Sequence, residues 1–297
     1  MAHRHDSDGG ETLAVFRSIA GDPSPRDAQD LMAYPWFSLA KGKRTVPIDF
    51  KGGDIVIRVE GTAEHGIATI WDADVLIWAA SQIVEARDAG IPTSRLMATS
   101  PYEILQYIRR GTSARDYQRL KAALDRLQST TVATSIRQTP GRRLHRFSWI
   151  NEWKERTDGQ GKPLGLELIL PDWFYSGILT ESLILTIDRR YFQLTGGIER
   201  WLFRLVRKHA GRQRSGWRFD FRHLHAKSGS LARFSDFALD LRRIAAEQPL
   251  PGYHVAVERP RPDLERLAFW PAANDRTGAL VKQLALAMRV PQPVDKL

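Results

Sequence analysis

Residues 113–150 read SARDYQRLKAALDRLQSTTVATSIRQTPGRRLHRFSWI, and this stretch decides the predicted fold. An apolar stripe recurs at helical spacing in its first half: Tyr117, Leu120, Leu124 and Leu127. The spacing predicts a helix that begins near Ser113 and buries one face. Two strand-like runs follow, at 131–137 and 144–150, and the turn between them, 138–143, has a basic tip. The stretch therefore predicts an amphipathic helix followed by a basic hairpin.

Two more helices are predicted before this stretch. The nearer one begins at 100–103 (Ser-Pro-Tyr-Glu), a capping box with proline at the first helical position. The other is capped by Asp72 or Asp74 and ends at Gly90. Three helices followed by a basic hairpin is the element order of a winged helix-turn-helix, whose third helix lies in the major groove of DNA.

The same order of elements recurs in the second half of the chain. Apolar spacing predicts a helix over 199–210 and a short helix or strand-to-helix transition over 219–225. A third helix follows with its own apolar stripe: Phe234, Phe237, Leu241 and Ile244. Two strand-like runs, 253–258 and 264–270, then flank a basic turn at 259–262. A shift of 117 residues aligns the two stripes. We therefore predict an α+β fold of tandem, pseudo-duplicated winged helix-turn-helix domains.

The predicted domain organisation has four parts. Residues 1–28 are polar and rich in turn residues, so they are expected to form a mobile leader. The N-terminal winged-helix domain is predicted at 29–160 and the C-terminal one at 161–273. A tail at 274–297 contains a short amphipathic segment, 280–288, that would form a helix.

The charge of the chain is unevenly distributed. Against 34 Asp and Glu, the 44 Lys and Arg residues give a net charge of +10. Residues 101–150 carry 10 basic and 3 acidic side chains, and residues 189–243 carry 14 and 4, so the rest of the chain is net acidic. Two basic blocks in an otherwise acidic chain indicate two surfaces that face a polyanion. The alternative is an Arg-rich surface that reflects only the composition of a GC-rich genome.

Composition also bounds the class of protein. The chain contains no cysteine, which excludes disulfides and thiolate metal sites and favours a reducing compartment. It has no run of about 18 apolar residues, and its start lacks the cationic and apolar segments of a secretory signal. We expect a cytoplasmic protein with no membrane span and no cofactor.

Nine strings of residues carry a family resemblance: 30–32, 35–39, 41–44, 66–78, 117–120, 147–150, 194–201, 224–230 and 250–253. Spread over residues 29–270, they resemble the plasmid replication initiator protein A family. The resemblance implies a winged-helix initiator that binds direct repeats of double-stranded DNA at a replication origin and helps to open it. It also implies recruitment of host replication initiation proteins and the replicative helicase. The C-terminal winged helix would read most of the sequence, while the N-terminal one adds DNA contacts or forms a dimer.

The predicted DNA-reading surface is the exposed face of the third helix in the second half: Arg233, Ser235, Asp236, Arg242 and Arg243. Arginine suits bidentate contact with guanine or phosphate, and an acidic residue could accept from cytosine or orient an arginine. Just before this helix, Lys227, Ser228 and Ser230 are placed for phosphate contact at its N-terminus. The open alternatives are a merely solvated helix face and ordinary turn and capping chemistry.

Equivalent candidates in the first half lie on the helix after Ser113: Arg115, Gln118, Arg119 and Lys121. The first wing offers Arg142 and Arg143, and the second wing offers Arg259 and Arg261. These wing residues are predicted to contact the DNA backbone or the minor groove.

Two patterns resemble enzyme sites. His223-Leu224-His225 matches the His-hydrophobe-His motif of rolling-circle nickases, where both imidazoles hold a metal, but it falls where a winged helix has its second helix. Asp72-Ala73-Asp74 could pair on a metal, but aspartate is also favoured at helix starts. No Walker-type phosphate loop is present. We predict no catalytic and no metal-binding residue, with a rolling-circle nickase and a winged-helix transcriptional regulator as alternative functions.

Overall fold

The computed structural model describes four ranges of the chain: 13–138, 144–160, 163–211 and 216–272. The predicted wing residues Arg142 and Arg143 and the amphipathic segment of the tail lie outside the described residues. In the described ranges, no helix is long and apolar enough to cross a membrane.

The described ranges contain helices and strands in mixed order. The helices are α1 (Gln29–Ala33), α2 (Ala73–Asp88), α3 (Pro101–Tyr107), α4 (Ala114–Ser129), α5 (Asp172–Leu179), α6 (Gly197–Ala210), α7 (Phe221–Ser228) and α8 (Phe234–Glu247). The strands are β1 (Val15–Arg17), β2 (Arg26–Ala28), β3 (Ile48–Gly52), β4 (Ile55–Glu60), β5 (Leu96–Thr99), β6 (Thr131–Thr134), β7 (His145–Ser148), β8 (Glu152–Thr157), β9 (Pro163–Ile169), β10 (Ile184–Thr186), β11 (Trp217–Asp220), β12 (Tyr253–Arg261) and β13 (Leu264–Pro271). The mixture agrees with the predicted α+β class.

Six elements form a unit that we call the first repeat: α2, β5, α3, α4, β8 and β9. Its three strands have the sheet order β5-β9-β8, and β9 is antiparallel to both neighbours. The helix starts follow from local chemistry. The predicted capping box at α3 is confirmed, because the Ser100 side chain accepts from the Glu103 N–H and the Glu103 carboxylate accepts from the Ser100 N–H. Ser113 and Asp116 form the same box at α4.

A second unit, the second repeat, has the same order of elements: α6, β11, α7, α8, β12 and β13. Its sheet order is β11-β13-β12, which matches β5-β9-β8 strand for strand. The third helices bury stripes of the same spacing: Leu120, Leu124 and Leu127 on α4, and Phe237, Leu241 and Ile244 on α8. The chain therefore repeats one arrangement of helices and strands.

The predicted first wing is corrected by the sheet topology. The hairpin that corresponds to β12–β13 is β8–β9, and not the β6–β7 hairpin that directly follows α4. Strands β6 and β7 belong to a separate sheet of order β3-β4-β6-β7. The β6–β7 hairpin is therefore not the counterpart of the β12–β13 hairpin. The sequence predicted equivalent hairpins at 131–137/144–150 and at 253–258/264–270, because local spacing does not show which strands pair in a sheet. Tertiary packing decides that pairing.

The predicted mobile leader is also corrected, as far as the structure describes it. Strand β1 pairs in parallel with β5, and β2 pairs with β10. Asp27 on β2 is buried and forms an ion pair with Arg204 on α6, with Nε–Oδ2 at 2.7 Å. Residues 13–28 are therefore part of the packed fold. Their polar composition suggested a leader because a buried ion pair looks hydrophilic in sequence.

The predicted boundary between residues 160 and 161 is wrong, because it falls inside the β8–β9 hairpin. The first repeat ends with β9, and α5 and β10 lie between the repeats. The two repeats are also packed together, because Asp74 on α2 forms a buried ion pair with Arg200 on α6. Helix α6 is buried along most of its length, and it contacts α1 as well as the strands of its own repeat.

Candidate nucleic-acid interface

Helix α8 presents a polar face opposite its buried stripe. Ser235, Asp236, Arg242 and Arg243 are exposed on this face, and Arg233 is exposed at the N-cap. Its C-terminal end is fixed by Gln248, whose side chain both donates to the Val255 carbonyl and accepts from the Val255 N–H. The face is thus held rigidly, and the five residues predicted to read DNA lie together on one surface.

A shared carboxylate joins α8 to the second wing. Glu265 on β13 accepts two hydrogen bonds from Arg242, at 3.0 and 2.6 Å, and its Oε1 also lies 3.0 Å from Nη2 of Arg259 on β12. The hydrogen bonds from Arg242 hold the pKa of Glu265 below its usual value and raise the pKa of Arg242. Two predicted DNA contacts from different elements are therefore brought together, by an acidic residue that the sequence reasoning missed.

The other cations of this surface differ in their pairing. Arg243 contacts Asp240 one turn earlier, with Nη2–Oδ1 at 3.2 Å. The side chains of Arg233 and Arg261 form no ion pair within the described residues. A cation without a carboxylate partner keeps its full charge for an anion, so Arg233 and Arg261 are better placed than Arg242, Arg243 and Arg259 for the predicted phosphate contacts.

The turn before α8 contacts the rest of the chain. Gly229 has φ +63°, and a Cβ there would lie 2.8 Å from Pro35, so both the backbone conformation and the close approach require glycine. The Gly229 carbonyl accepts from Arg44, a guanidinium that also donates to the carbonyls of Val46 and Pro47. This turn therefore docks the second repeat onto the N-terminal part of the chain.

The predicted role of Ser228 as a phosphate ligand is corrected by this docking. Ser228 is 1% exposed, and its hydroxyl donates to the His225 carbonyl and accepts from the Ser230 N–H. The Ser230 hydroxyl accepts from the N–H of Ala232. Both hydroxyls perform turn chemistry, which was the stated alternative.

Lys227 lies in a cationic cluster beside the same turn. Its ammonium is 4.5 Å from the ring centroid of Tyr34, and the ammonium of Lys208 on α6 is 5.6 Å from the same centroid. Burial, together with the charge of Lys208, lowers the pKa of Lys227 to about 8. Burial and the neighbouring cations also lower the pKa of His209 to about 4. The cluster concentrates positive charge where α6, α7 and Tyr34 meet.

Helix α4 presents a comparable face in the first repeat. Arg115, Gln118 and Arg119 are exposed on it, as predicted from spacing. Arg119 lies 3.4 Å from Asp116, which belongs to the capping box of the helix. Lys121 pairs instead with Glu155 on β8, at 2.8 Å. That pair ties α4 to the hairpin of its own repeat, as Glu265 does for α8.

The Asp72-Ala73-Asp74 pattern serves ion pairing between helices. Asp72 receives two hydrogen bonds from Arg126 on α4, at 2.8 and 2.7 Å, and its side chain does not cap α2. Asp74 is fully buried between Arg200 and Arg110. Each carboxylate is thus neutralised by arginine. In the part of the chain that the structure describes, no group of three or more potential metal ligands occurs.

The two imidazoles of His223-Leu224-His225 lie on α7 in different surroundings. His223 stacks on Phe219, with ring centroids 5.2 Å apart. The Nε2 atom of His225 lies 2.9 Å from the Ala232 carbonyl, and its ring packs against Phe237. Residues two apart on a helix point in nearly opposite directions, so this arrangement does not bring the two rings onto one metal.

Comparison with known proteins places this architecture in a family. A family model described as "Replication initiator protein A" matches residues 26–255. The chain belongs to the replication initiator protein A family. A relative in Wigglesworthia glossinidia brevipalpis, named "Putative replication protein", is 31% identical over 228 residues, which cover 75% of this chain and 82% of the relative. The resemblance predicted from the sequence strings is thereby confirmed, and membership supports a role in replication initiation.

Solved structures support the fold of this family member. A crystal structure of selenomethionine derivatives of domains 2 and 3 of RctB matches with a TM-score of 0.59 and 15% identity, covering 81% of this chain and 97% of that one. A second crystal structure of RctB domains 2–3 matches with a TM-score of 0.54 and 14% identity, covering 84% and 99%. At this identity the likeness shows a shared mixed α+β fold.

Two exposed leucines of this initiator-family chain were missed by the sequence reasoning. Leu239 on α8 is 64% exposed and Leu231, just before the helix, is 62% exposed. The signal was available, because Leu239 falls between Asp236 and Arg242 and outside the buried stripe. Leu239 was not among the predicted DNA contacts because its side chain carries neither a charge nor a hydrogen-bonding group.

Proposed function

We propose that this family member binds repeated double-stranded DNA sites at a replication origin through the exposed faces of α4 and α8. Each repeat then acts as a winged helix-turn-helix, with its third helix in the major groove and its hairpin on the backbone. The wings are β8–β9 and β12–β13. The single observation that carries the proposal is the repeated sheet order, β5-β9-β8 and β11-β13-β12, around two third helices that each expose a polar face.

Electrostatics support the same reading for the second repeat. Arg233 and Arg261 lie at the helix start and on the wing strand without a carboxylate partner among the described residues. Arg242 and Arg259 are fixed relative to each other by Glu265. Because Arg242 and Arg259 are already held in place, they would lose little side-chain entropy on contact with a DNA backbone.

The remaining parts of the proposal follow from the family. We propose that the chain promotes origin opening, recruits the host initiator and the replicative helicase, and self-associates as a dimer in the cytoplasm. We propose no catalytic site of its own. The separation of His223 and His225 on α7 supports this against a nickase.

DNA binding is tested with the full chain by fluorescence anisotropy on DNA from the region upstream of its own gene and on a random duplex of equal length. A footprint on the upstream region locates the repeats. Tighter binding to the upstream DNA, with protection at repeated sites, is expected. A Kd equal on both duplexes would contradict the proposal. Arg58→Ala, which removes an exposed arginine outside both basic blocks, is the control variant and should leave both affinities unchanged.

Two further experiments distinguish the proposed replication initiator from a transcriptional regulator and from a rolling-circle nickase. Supplying the gene in trans to an origin-only plasmid should rescue its replication, and no rescue by a well-expressed protein would favour a transcriptional regulator. Incubation with supercoiled origin plasmid and Mg²⁺ or Mn²⁺ should leave the plasmid intact. Nicking that disappears in a His223→Ala, His225→Ala variant would establish an endonuclease.

A further inference from the structure

Leu239 occupies the centre of the exposed face of α8. It is 64% exposed, and it lies one helical turn after Ser235 and one turn before Arg242 and Arg243. The buried stripe of the helix, Phe237, Ala238, Leu241 and Ile244, lies on the other side. Leu239 therefore contributes no core packing, and a large apolar side chain stands in water among polar neighbours.

The surroundings of Leu239 favour a polyanion as the occupant of this face. Arg233 lies before it without a carboxylate partner among the described residues, while Arg242 pairs with Glu265 and Arg243 with Asp240. A second copy of this chain, which has a net charge of +10, brings no excess of negative charge to the face. DNA supplies that negative charge through its phosphates. Its major groove presents one apolar group on the base edges, the C5-methyl of thymine.

We propose that Leu239 contacts a thymine C5-methyl group in the major groove and so selects for A·T pairs at one or two positions of the site. The inference rests on the proposed function, since it requires α8 to lie in that groove. Arg242 and Arg243 follow Leu239 by three and four residues, so they meet the neighbouring base pairs or phosphates. On α4 the aligned position, 117 residues earlier, is Ala122, a smaller apolar side chain. We therefore expect α8 to make a larger apolar contact with a thymine methyl group than α4 does.

The test removes the methyl group without changing base pairing. A binding site is selected from a random-sequence DNA pool with the full chain, and each thymine in it is replaced in turn by deoxyuridine. The Kd of each duplex is measured for wild type, for Leu239→Ser and for the control Leu179→Ser. Leu179 is an exposed leucine at the end of α5, away from both third helices. Far-UV circular dichroism checks that the variants fold.

In the wild type and in Leu179→Ser, one or two thymine-to-uracil changes should weaken binding about fourfold, as expected for loss of one buried methyl group. In Leu239→Ser the same changes should have no further effect. An undiminished uracil effect in Leu239→Ser, or no sensitive thymine in the wild type, overturns the inference while the proposed function stands. If wild type selects no sequence from the pool, the proposed function fails and the inference fails with it. A changed oligomeric state of free Leu239→Ser, with an unaltered uracil effect, would assign the face to a second copy.

Discussion

Asp74 on α2 and Arg200 on α6 form an ion pair with Oδ1–Nη1 at 2.7 Å, and both side chains are 0% exposed. These are the first helices of the two repeats, so the pair joins the repeats at their cores. Arg110 reaches the second oxygen of Asp74, and Arg200 also donates to the carbonyls of Phe192 and Leu194. The cost of burying these charges is offset by the number of hydrogen bonds that they make.

Removal of Asp74 should destabilise the whole chain. Asp74→Ala leaves Arg200 buried without its counter-charge, and breaking a buried pair in this way costs about 3–5 kcal/mol. Urea unfolding followed by tryptophan fluorescence measures the loss. The matched control is Asp49→Ala, which removes the exposed partner of Arg58 and should lower the unfolding free energy far less than Asp74→Ala does. Should Asp74→Ala not fold at all, Asp74→Asn keeps the shape and should still lose stability. Equal stability of Asp74→Ala and Asp49→Ala would refute the joining role.

Arg243 tests whether α8 reads bases. If Arg243 contacts a base edge, Arg243→Ala should weaken binding to the selected site by about 1–3 kcal/mol and weaken binding to random DNA much less. Anisotropy on the two duplexes measures the difference. An equal loss of binding free energy on both duplexes would show that Arg243 contacts a phosphate and not a base. The nearby Asp240 carboxylate would weaken such a phosphate contact.

The second wing offers a comparison between two arginines on one strand. Arg259 is paired with Glu265, whereas Arg261 forms no ion pair among the described residues. Arg261→Gln should therefore reduce the slope of log K against log salt by about 0.9, the value for one phosphate contact in B-DNA. Arg259→Gln should change that slope less, because its charge is already partly neutralised. A larger change for Arg259→Gln would show that the Glu265 pair opens on DNA.

We expect the buried charge of Lys227 to lower the free energy of unfolding. Its pKa is lowered to about 8 by burial and by Lys208, so the folded state carries a cost while the ammonium is charged. Lys227→Met keeps the apolar stem and removes that cost, and after a discount for solvent screening it should stabilise the chain by about 1 kcal/mol at pH 7. If Lys227 also contacts a phosphate, as the sequence predicts, DNA affinity should fall in the same variant.

The pH dependence of this gain has a definite sign. Below about pH 8 the ammonium is charged in both the folded and the unfolded chain, and the cost is fully present. Between about 8 and the ordinary value of 10.5 the folded chain loses its proton first, so wild-type stability rises with pH relative to Lys227→Met. Urea unfolding at pH 7, 8.5 and 10 measures the two curves, and parallel curves would count against the prediction.

The helices of the two repeats and the two exposed faces could be predicted from the sequence, because both depend on local chemistry, whereas α1 and α5 were not predicted. Ser100 and Glu103 lie three residues apart, so their capping box is visible in the sequence alone. The stripe of α8 and its polar face also follow from helical periodicity. The wing of the first repeat could not be predicted. The choice between β6–β7 and β8–β9 as the partner of β5 is made by long-range strand pairing, which local spacing does not encode.

What the sequence by itself determined is the class of the molecule: two basic helix-plus-strand units, each with one apolar stripe, and the strings that identify the family. Only the tertiary structure decided which charges are available. Asp27, Asp74, Arg200 and Arg204 look like surface residues in the sequence but are buried as two ion pairs. One pair joins the first helices of the two repeats, and the other joins β2 to α6. The physical reason is that a charge costs little in water and a great deal in a core, and only the fold places a counter-charge within hydrogen-bonding distance.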